Sequence, residues 1–552
     1  MMDDSTRTIA STASQHGPSG HRSSLACLII SALLVALTLF WLLKARWSVG
    51  RDGWFIKPNE GAWPLPAWWL PLAVLFLFGG LAAISVYDRF KRAKSRRDQN
   101  NSTILAVIGL SLLALLWPWS LLGPLGTANL INSAWSDVAN EYFATAYQVE
   151  DARRFTAEYP MRHQQPTSPL QAHVATHPPG AVLFYYVARR IFEAAPPLQN
   201  GFKALGQRLS GESIKSLAQE ARALRETGAR VAGNKETPQA LPDSAIAGAI
   251  WCAFLISLIV ACTVPVVYWL GSGGAASTAG ERAGEARGLV CAAFFVLAPT
   301  VQLFNFTLDA LIACGAVWML ACLARYLSGG KAGWLLLAGA LLALTNFLSF
   351  GALAGGVIAA LALALSCRGT DLPKRSLLVD LALLAAGFVA LWMLLLVLLP
   401  MQPLAIFTNA MAAHQLATLK SRDYWGWAGL NFLTFALFIG WPVVVAVVAQ
   451  IVRARRTKGR PWREYCALLR EPPIAIGWAT VLTMIALSFS GNVRGEVERL
   501  WLFLLPPLCA FAVSGFQRVE TKTAYTWGGL LILQAVQTLF MAATLAPLVR
   551  PF

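Results

Sequence analysis

Charge is scarce in this chain: only 13% of its 552 residues are Asp, Glu, Lys or Arg, against about a quarter in a soluble globular protein. Too few solvated side chains remain to cover a soluble fold of this length. Acidic residues are the scarcer sign, 28 against 45 Lys and Arg, which leaves a formal net charge of +17. Cysteine occurs nine times without any C-x-x-C pair, and most of these residues lie inside apolar runs. That excludes a disulfide framework or a zinc ribbon and leaves small core residues. No P-loop, G-x-S-x-G, H-E-x-x-H or dinucleotide fingerprint occurs, so no nucleotide, hydrolase or metalloprotease site is expected. Short alternating strands are missing, which argues against a membrane barrel.

Apolar residues are what the chain has, 56% of the total, with a mean hydropathy of +0.54. They come in runs of about 20, the length that crosses a bilayer core as a helix. Thirteen spans are expected, near 25–43, 68–87, 103–124, 244–270, 287–303, 307–327, 333–349, 351–367, 376–399, 430–452, 473–490, 498–516 and 524–547. The fold class is therefore an all-α polytopic membrane protein. The Ser/Thr-rich first 24 residues read as a disordered cytoplasmic terminus. The run after them lacks a small-residue cleavage site, so an uncleaved helix is expected.

Charge also sets sidedness. Asp88–Asp98 carries six Lys or Arg and Arg453–Arg470 carries seven, and dense basic loops stay cytoplasmic. The excess of positive charge is thus read as orientation against a membrane surface, with no nucleic-acid partner. With the first basic loop inside, the segment 125–243 lies outside, and the remaining spans return 453–470 to the inside. Residues 181–195 carry Arg189 and Arg190 in a run too short to cross, and are expected to lie on the outer leaflet as an interfacial helix. Residues 196–243 form a polar insertion, expected as a solvated helix.

This topology gathers the chemistry-bearing residues on one side. The stretch from Gly126 to Glu193 holds three of the six histidines, His163, His173 and His177, with Asp137, Glu141, Asp151 and Glu158. Within it, Asp137 and Glu141 stand at i and i+4, one face of a helix. A carboxylate there can take a proton from an acceptor hydroxyl, or serve as a helix N-cap. His177-Pro-Pro-Gly180 forces an extended entry into the next helix, which either holds His177 at a phosphate-attracting helix start or packs it on Phe184, Tyr185 and Tyr186. Asp309 opens a span, where an ionisable group is a functional candidate or a cap. His414, Lys420, Arg422 and Asp423 share another outer loop. Arg494, Glu496, Glu498 and Arg499 lie together at the mouth of a late span, where arginine suits phosphate unless Glu496 or Glu498 pairs with it. The spacing of His163, His173 and His177 with Asp137 fits no recognised metal pattern. No cofactor is expected, although a divalent metal there stays open.

Four of these elements together resemble the GT-C superfamily of polytopic glycosyltransferases, whose members include protein O-mannosyltransferases, lipid A aminoarabinose transferases and actinobacterial mannosyl- and arabinosyltransferases. They are the acidic outer loop WSDVANEYFATAYQVEDARRF, the H-P-P-G-x-x-x-x-Y segment from His177 to Tyr185, the outer-turn Asp309, and G-E-x-E-R-x-W from Gly495 to Trp501. About a quarter of the chain carries the likeness; the rest matches only as apolar helix, and S-D-V stands where the family commonly has D-x-D or D-E. The resemblance implies residues 103–552 as the catalytic membrane domain, with two added helices in 25–102. It implies a sugar moved from a polyprenyl-phosphate donor to a glycan, lipid or protein hydroxyl on the extracytoplasmic face of a bacterial plasma membrane, with inversion. Asp137 would be the catalytic base. Glu141, His177, Tyr185, Asp309, Arg494, Glu496, Glu498 and Arg499 would bind substrate. The rival readings are a transporter or lipid-linked-glycan flippase, which would show midplane charges or two similar halves, and a polymer ligase using the same donors.

Overall fold

The computed structural model describes residues 19–42, 49–51, 54–56, 68–91, 96–125, 137–162, 164, 172–231, 241–273, 281–367, 376–420, 422–456, 468–469, 471–514 and 521–545. These residues are helical apart from turns and one two-stranded antiparallel ribbon, β1 (Val49–Arg51) with β2 (Trp54–Ile56). The ribbon corrects the expectation that short strands are absent. It is too small to disturb the class, an all-α polytopic membrane protein.

Helix α1 (Ser19–Phe40) already begins inside the terminus expected to be disordered. It is followed by α2 (Trp69–Val74), which continues through a π-helical turn into α3 (Gly80–Lys91), and by α4 (Arg96–Leu125). A group of shorter helices comes next: α5 (Asp137–Gln148), α6 (Ala152–Arg162), α7 (Ala172–Thr176), α8 (Gly180–Ala194), α9 (Pro196–Ser210) and α10 (Ile214–Val231). The apolar series resumes with α11 (Ser244–Gly271), α12 (Glu281–Val296), the short α13 (Pro299–Leu303), α14 (Leu308–Leu327), α15 (Gly333–Leu348), α16 (Leu353–Cys367) and α17 (Leu377–Leu398). After α18 (Pro403–His414) and a π-helical turn at Gln415–Leu419 come α19 (Tyr424–Ile439), α20 (Trp441–Arg456), α21 (Pro472–Phe489), α22 (Val497–Leu500), α23 (Leu505–Ser514) and α24 (Thr521–Thr544).

Among the described residues, seven helices are long and apolar enough to cross a membrane, or eight if the bent pair α19–α20 counts once; Leu25–Phe40, Gly333–Leu348, Phe350–Ser366 and Leu502–Ser514 are apolar but shorter. Three expected spans are broken. The one at 287–303 stops at Val296 and restarts at Pro299, where Ala298 is extended. The one at 498–516 is a single α-turn, a 3₁₀ turn and then α23. The one expected at 430–452 bends by 114° between α19 and α20. Gly440 makes that corner: its φ is +95°, and a Cβ there would overlap the Gln534 side-chain amide. Only glycine satisfies both the dihedral and the space.

The bend changes what α19 does. Tyr424 donates its hydroxyl to the carbonyl of Phe489 at the end of α21, 2.7 Å away. Further along, Phe435 packs on Trp501 with ring centroids 5.4 Å apart, and Phe438 on Phe304 at 5.9 Å. Gln534 of α24 then donates to the Ile439 carbonyl at 2.8 Å. Helix α19 thus passes across the ends of neighbouring helices, and α20 alone runs along the bundle. It runs antiparallel to α1, since its first residue, Trp441, donates Nε1 to Thr38 near the end of α1 at 2.8 Å.

Helix α11 is the centre of the bundle, packed by α4, α8, α9, α12, α14 and α23. Between apolar helices in lipid, close packing and interhelical hydrogen bonds supply the association that the hydrophobic effect supplies in water. Helix α14 packs on α11 and α15, and the start of α8 at Gly180 lies against the Phe347 carbonyl at the end of α15, which puts the start of α14 at the end of the bundle that α5, α7 and α8 cover. The opposite end is fastened by Arg287–Glu471, 3.5 Å apart, by Ser328 donating to the Gly273 carbonyl at 3.2 Å, and by Tyr326 donating to Asp380 at 2.5 Å.

Candidate functional site

Two polar groups meet at the covered end. The first comes from α5, α7 and α8. Glu141 accepts the Val174 N–H at 3.2 Å, which ties the first turns of α5 to α7. Tyr159 of α6 is fully buried, and its hydroxyl lies 2.7 Å from the Val174 carbonyl and 3.0 Å from that of His177. These bonds hold the His177-Pro-Pro-Gly180 elbow. Gly180 is required there, because a Cβ would overlap the carbonyl of Phe347 on α15. His177 packs its ring edge-on against Tyr142, centroids 5.3 Å apart, and Nδ1 is 3.1 Å from the Thr176 hydroxyl. The elbow thus sets His177 against Tyr142 of α5, while Tyr185 of α8 lies parallel to the same Tyr142 ring at 6.4 Å.

Helix α8 is amphipathic as expected: Ala181, Tyr185, Ala188 and Phe192 are buried, while Val187 and Ile191 are exposed. Arg189 points into the protein. It is buried, donates to the carbonyls of Tyr147 and Val149 at 2.9 Å each, and so closes the C-terminal end of α5. The free carbonyls of a helix end need such a donor.

The second group is ionic. Thr307 is extended at the start of α14 and gives its hydroxyl to the Phe304 carbonyl, leaving Asp309 in the first turn, where a carboxylate is favoured by the helix dipole. Arg499 Nη1 donates to Asp309 Oδ2 at 2.8 Å, and Arg499 Nη2 donates to Glu496 Oε2. The other Glu496 oxygen accepts from Arg422 Nη2 at 2.8 Å. The side chains of Asp309 and Arg499 are each 10% exposed, Arg422 12% and Glu496 14%. Burial works against the Arg499 charge, and the Asp309 and Glu496 carboxylates more than offset it, so its proton is held more tightly than usual.

Backbone geometry puts Glu496 there. After α21 the chain turns through Gly491 (φ +72°) and Gly495 (φ +90°), and Glu496 itself has φ +60°, the one non-glycine at positive φ among the described residues. Arg494 braces this loop: Nε donates to the Gly491 carbonyl at 3.0 Å, and Nη1 reaches the carbonyls of Leu419 at 2.8 Å and Arg422 at 2.6 Å. Asn431 of α19 completes the brace, donating to the Val493 carbonyl at 2.8 Å and accepting from the Gly495 N–H at 3.2 Å. Glu498 is buried, and its carbonyl accepts the Thr300 hydroxyl.

Tyr142 joins the two groups. Burial pushes its hydroxyl well above the ordinary phenol range; Asp309 pushes the same way and Arg499 opposes, so both act on it across the gap between α5 and α14. The structure therefore brings Glu141, His177, Tyr185, Asp309, Glu496 and Arg499 to one region. It turns Arg494 into its own loop. Asp137 opens α5 one turn before Glu141; its side chain, and those of His163 and His173, lie outside the described residues. Tyr142, Tyr159 and Asn431 are additions that pattern reading did not select, and Arg422, named only as an outer-loop residue, had no role assigned to it. Arg422 stood in a visible Arg-Asp-Tyr-Trp run, whereas nothing local marked Tyr142.

Among the described residues no three His, Cys, Asp or Glu side chains are grouped to hold a metal ion. The seven cysteines whose side chains are described form no disulfide. The site pairs guanidinium with carboxylate beside a phenol and an imidazole, a set that can bind anions and move protons. No family model, curated protein or solved structure matches this chain.

Proposed function

We propose that the chain is an integral membrane glycosyltransferase of the GT-C type. It transfers a sugar from a polyprenyl-phosphate donor to an acceptor hydroxyl at the extracytoplasmic surface, with inversion. The observation that carries this reading is the buried Asp309–Arg499–Glu496–Arg422 chain, whose Asp309 and Arg499 act on Tyr142, the ring against which His177 packs. It lies at the end of the bundle opposite the start of α4 and the end of α20, the described helices that flank the basic segments of the sequence. With those segments cytoplasmic, the site faces outward and the N-terminus inward. The thirteen crossings are then α1, α2 with α3, α4, α11, α12, α14, α15, α16, α17, α20, α21, α23 and α24, with α19 lying across their outer ends.

In the reaction, Asp137 takes the proton of the acceptor hydroxyl. The oxygen attacks the anomeric carbon as the bond to the phosphate oxygen breaks, and polyprenyl phosphate departs. Arg499, aided by Arg422, stabilises the charge on that leaving group, the kind of electrostatic contribution that dominates many transfers. Tyr185 and His177 shape the wall through Tyr142.

The test uses purified protein in lipid nanodiscs, radiolabelled polyprenyl-phosphate sugars and a membrane extract as acceptor. Asp137→Asn should lower transfer by about 100-fold or more, the usual contribution of a general base, with donor binding kept. Equal transfer by variant and wild type would remove Asp137 and shift the base to Glu141 or Asp309. Folded wild type that transfers nothing but moves lipid-linked sugar between leaflets would replace the reading with a flippase.

A further inference from the structure

We infer that Arg422 and Arg499 form a phosphate-monoester subsite that Glu496 occupies from within the chain, and that a bound phosphate displaces the Glu496 carboxylate. The inference rests on the glycosyltransfer reading only in its choice of a lipid-borne phosphate.

Three observations carry it. First, the two guanidiniums converge on the two oxygens of a single carboxylate, Arg422 on Oε1 and Arg499 on Oε2. Two guanidiniums, each on its own oxygen of one anion, is also the arrangement that grips two oxygens of a phosphate. Second, each arginine has a further anchor that survives departure of Glu496. Arg499 keeps Asp309 at 2.8 Å, and Arg422 Nη1 keeps the Arg494 carbonyl. The pair would stay in place with one set of donors released. Third, Glu496 is held at φ +60° next to Gly495 at φ +90°. A non-glycine residue in this region is strained, and such strain clusters at ligand clamps and switches. Rotation at Gly495 and Glu496 relieves the strain and withdraws the carboxylate.

The charge arithmetic agrees. Arg422, Arg499, Asp309 and Glu496 balance as two cations and two anions in this arrangement. Withdrawal of Glu496 leaves those groups at +1 toward an incoming anion. The subsite is thus closed when empty and becomes cationic on opening. This keeps an unpaired guanidinium from being buried between substrates, a state that is costly.

The experiment measures direct binding of farnesyl phosphate, inorganic phosphate and farnesol to the full chain in nanodiscs by titration calorimetry. Glu496→Gln keeps the side-chain shape and removes its charge. It should tighten farnesyl phosphate binding by about tenfold, the scale of a charge-assisted contact, and leave farnesol unchanged. Adding Arg422→Gln should cancel the gain. An equal gain for inorganic phosphate supports a site for the phosphate itself; a gain for farnesyl phosphate alone supports a lipid headgroup site. Unchanged or weaker farnesyl phosphate binding in folded Glu496→Gln, or an equal gain for farnesol, overturns the inference. If that variant does not fold, the wild type decides: saturation with farnesyl phosphate should speed backbone hydrogen exchange across 491–500, and slower or unchanged exchange overturns it. Sugar transfer by the wild type without the Glu496→Gln gain would sink the subsite and leave the function. The gain without transfer would do the reverse.

Discussion

Asp309 and Arg499 are 190 residues apart in the chain and 2.8 Å apart in the fold. Removing one member of a buried ion pair strands the other, at about 3–5 kcal/mol, whereas replacing both by apolar groups is often nearly neutral. Asp309→Leu should therefore lower thermal stability in detergent sharply, and Asp309→Leu with Arg499→Met should recover most of the loss. A double variant no more stable than the worse single one would show that the pair does not act as a unit. Tyr142 and Tyr159 give a pH dependence. Burial raises both phenols above their ordinary range, with Asp309 adding at Tyr142 and Glu141 at Tyr159. The folded state then holds these protons where the unfolded chain loses them, above about pH 10. Stability from this source is full below that pH and falls as pH rises past it. Replacing both by Phe should flatten the alkaline limb of a stability–pH curve, and an unchanged limb would place its cause elsewhere.

At the scale of the element, the corner between α19 and α20 depends on one residue. Gly440→Ala meets both an unfavourable dihedral and the Gln534 amide. A destabilisation of at least about 2 kcal/mol is expected from the backbone region and the overlap together. Adding Gln534→Ala should return only the part due to crowding, which separates the two causes in an unfolding series. Helix α5 offers a second case. Arg189 closes its C-terminal end and is flanked by the rings of Tyr147 and Tyr186, at 5.1 and 5.4 Å from the centroids. Arg189→Lys keeps the charge and loses the planar fork. Hydrogen exchange should rise in the last turn of α5, at residues 145–149, and stay unchanged in α11.

At the scale of the molecule, the helices interlock across long stretches of sequence. Helix α1 packs on α20 and α24, so the N-terminal helix is part of the bundle formed by the C-terminal ones. Deleting residues 1–42 should destabilise the remainder well beyond the loss of a loosely attached segment, as read by thermal unfolding in nanodiscs. Sidedness has its own test. An epitope inserted after Gly211 should be reached from the extracytoplasmic side, and one inserted after Arg456 from the cytoplasmic side. The two sides exchanged would reverse the topology, and the same side for both would overturn the count of crossings between them.

Hydropathy and charge determined the class of this protein. Runs of apolar residues have few stable forms in lipid other than helix, because each backbone group must be satisfied within its own segment. That constraint is local, and so the helices, the interfacial α8, the elbow at His177-Pro-Pro-Gly180 and the choice of Glu496 or Glu498 as partner for Arg499 were all visible in short windows. Tertiary structure decided what depends on distant partners. The break at Gly440 hides in a continuous apolar run, since hydropathy cannot distinguish a helix along the bundle from one lying across its end. Arg189 counted in the sequence only as a charge that keeps its helix from crossing, and the carbonyls ending α5 give it a buried task. Arg422 takes the place in the ionic chain that proximity in sequence suggested for Arg494, because the 490–496 loop folds back and spends Arg494 on the carbonyls of Gly491, Leu419 and Arg422. The meeting of Tyr142 with Asp309 and Arg499 needed three segments spread over more than half the chain. No local pattern encodes it, because it arises from how α5 rests on α8 while α8 and α14 both pack on α11.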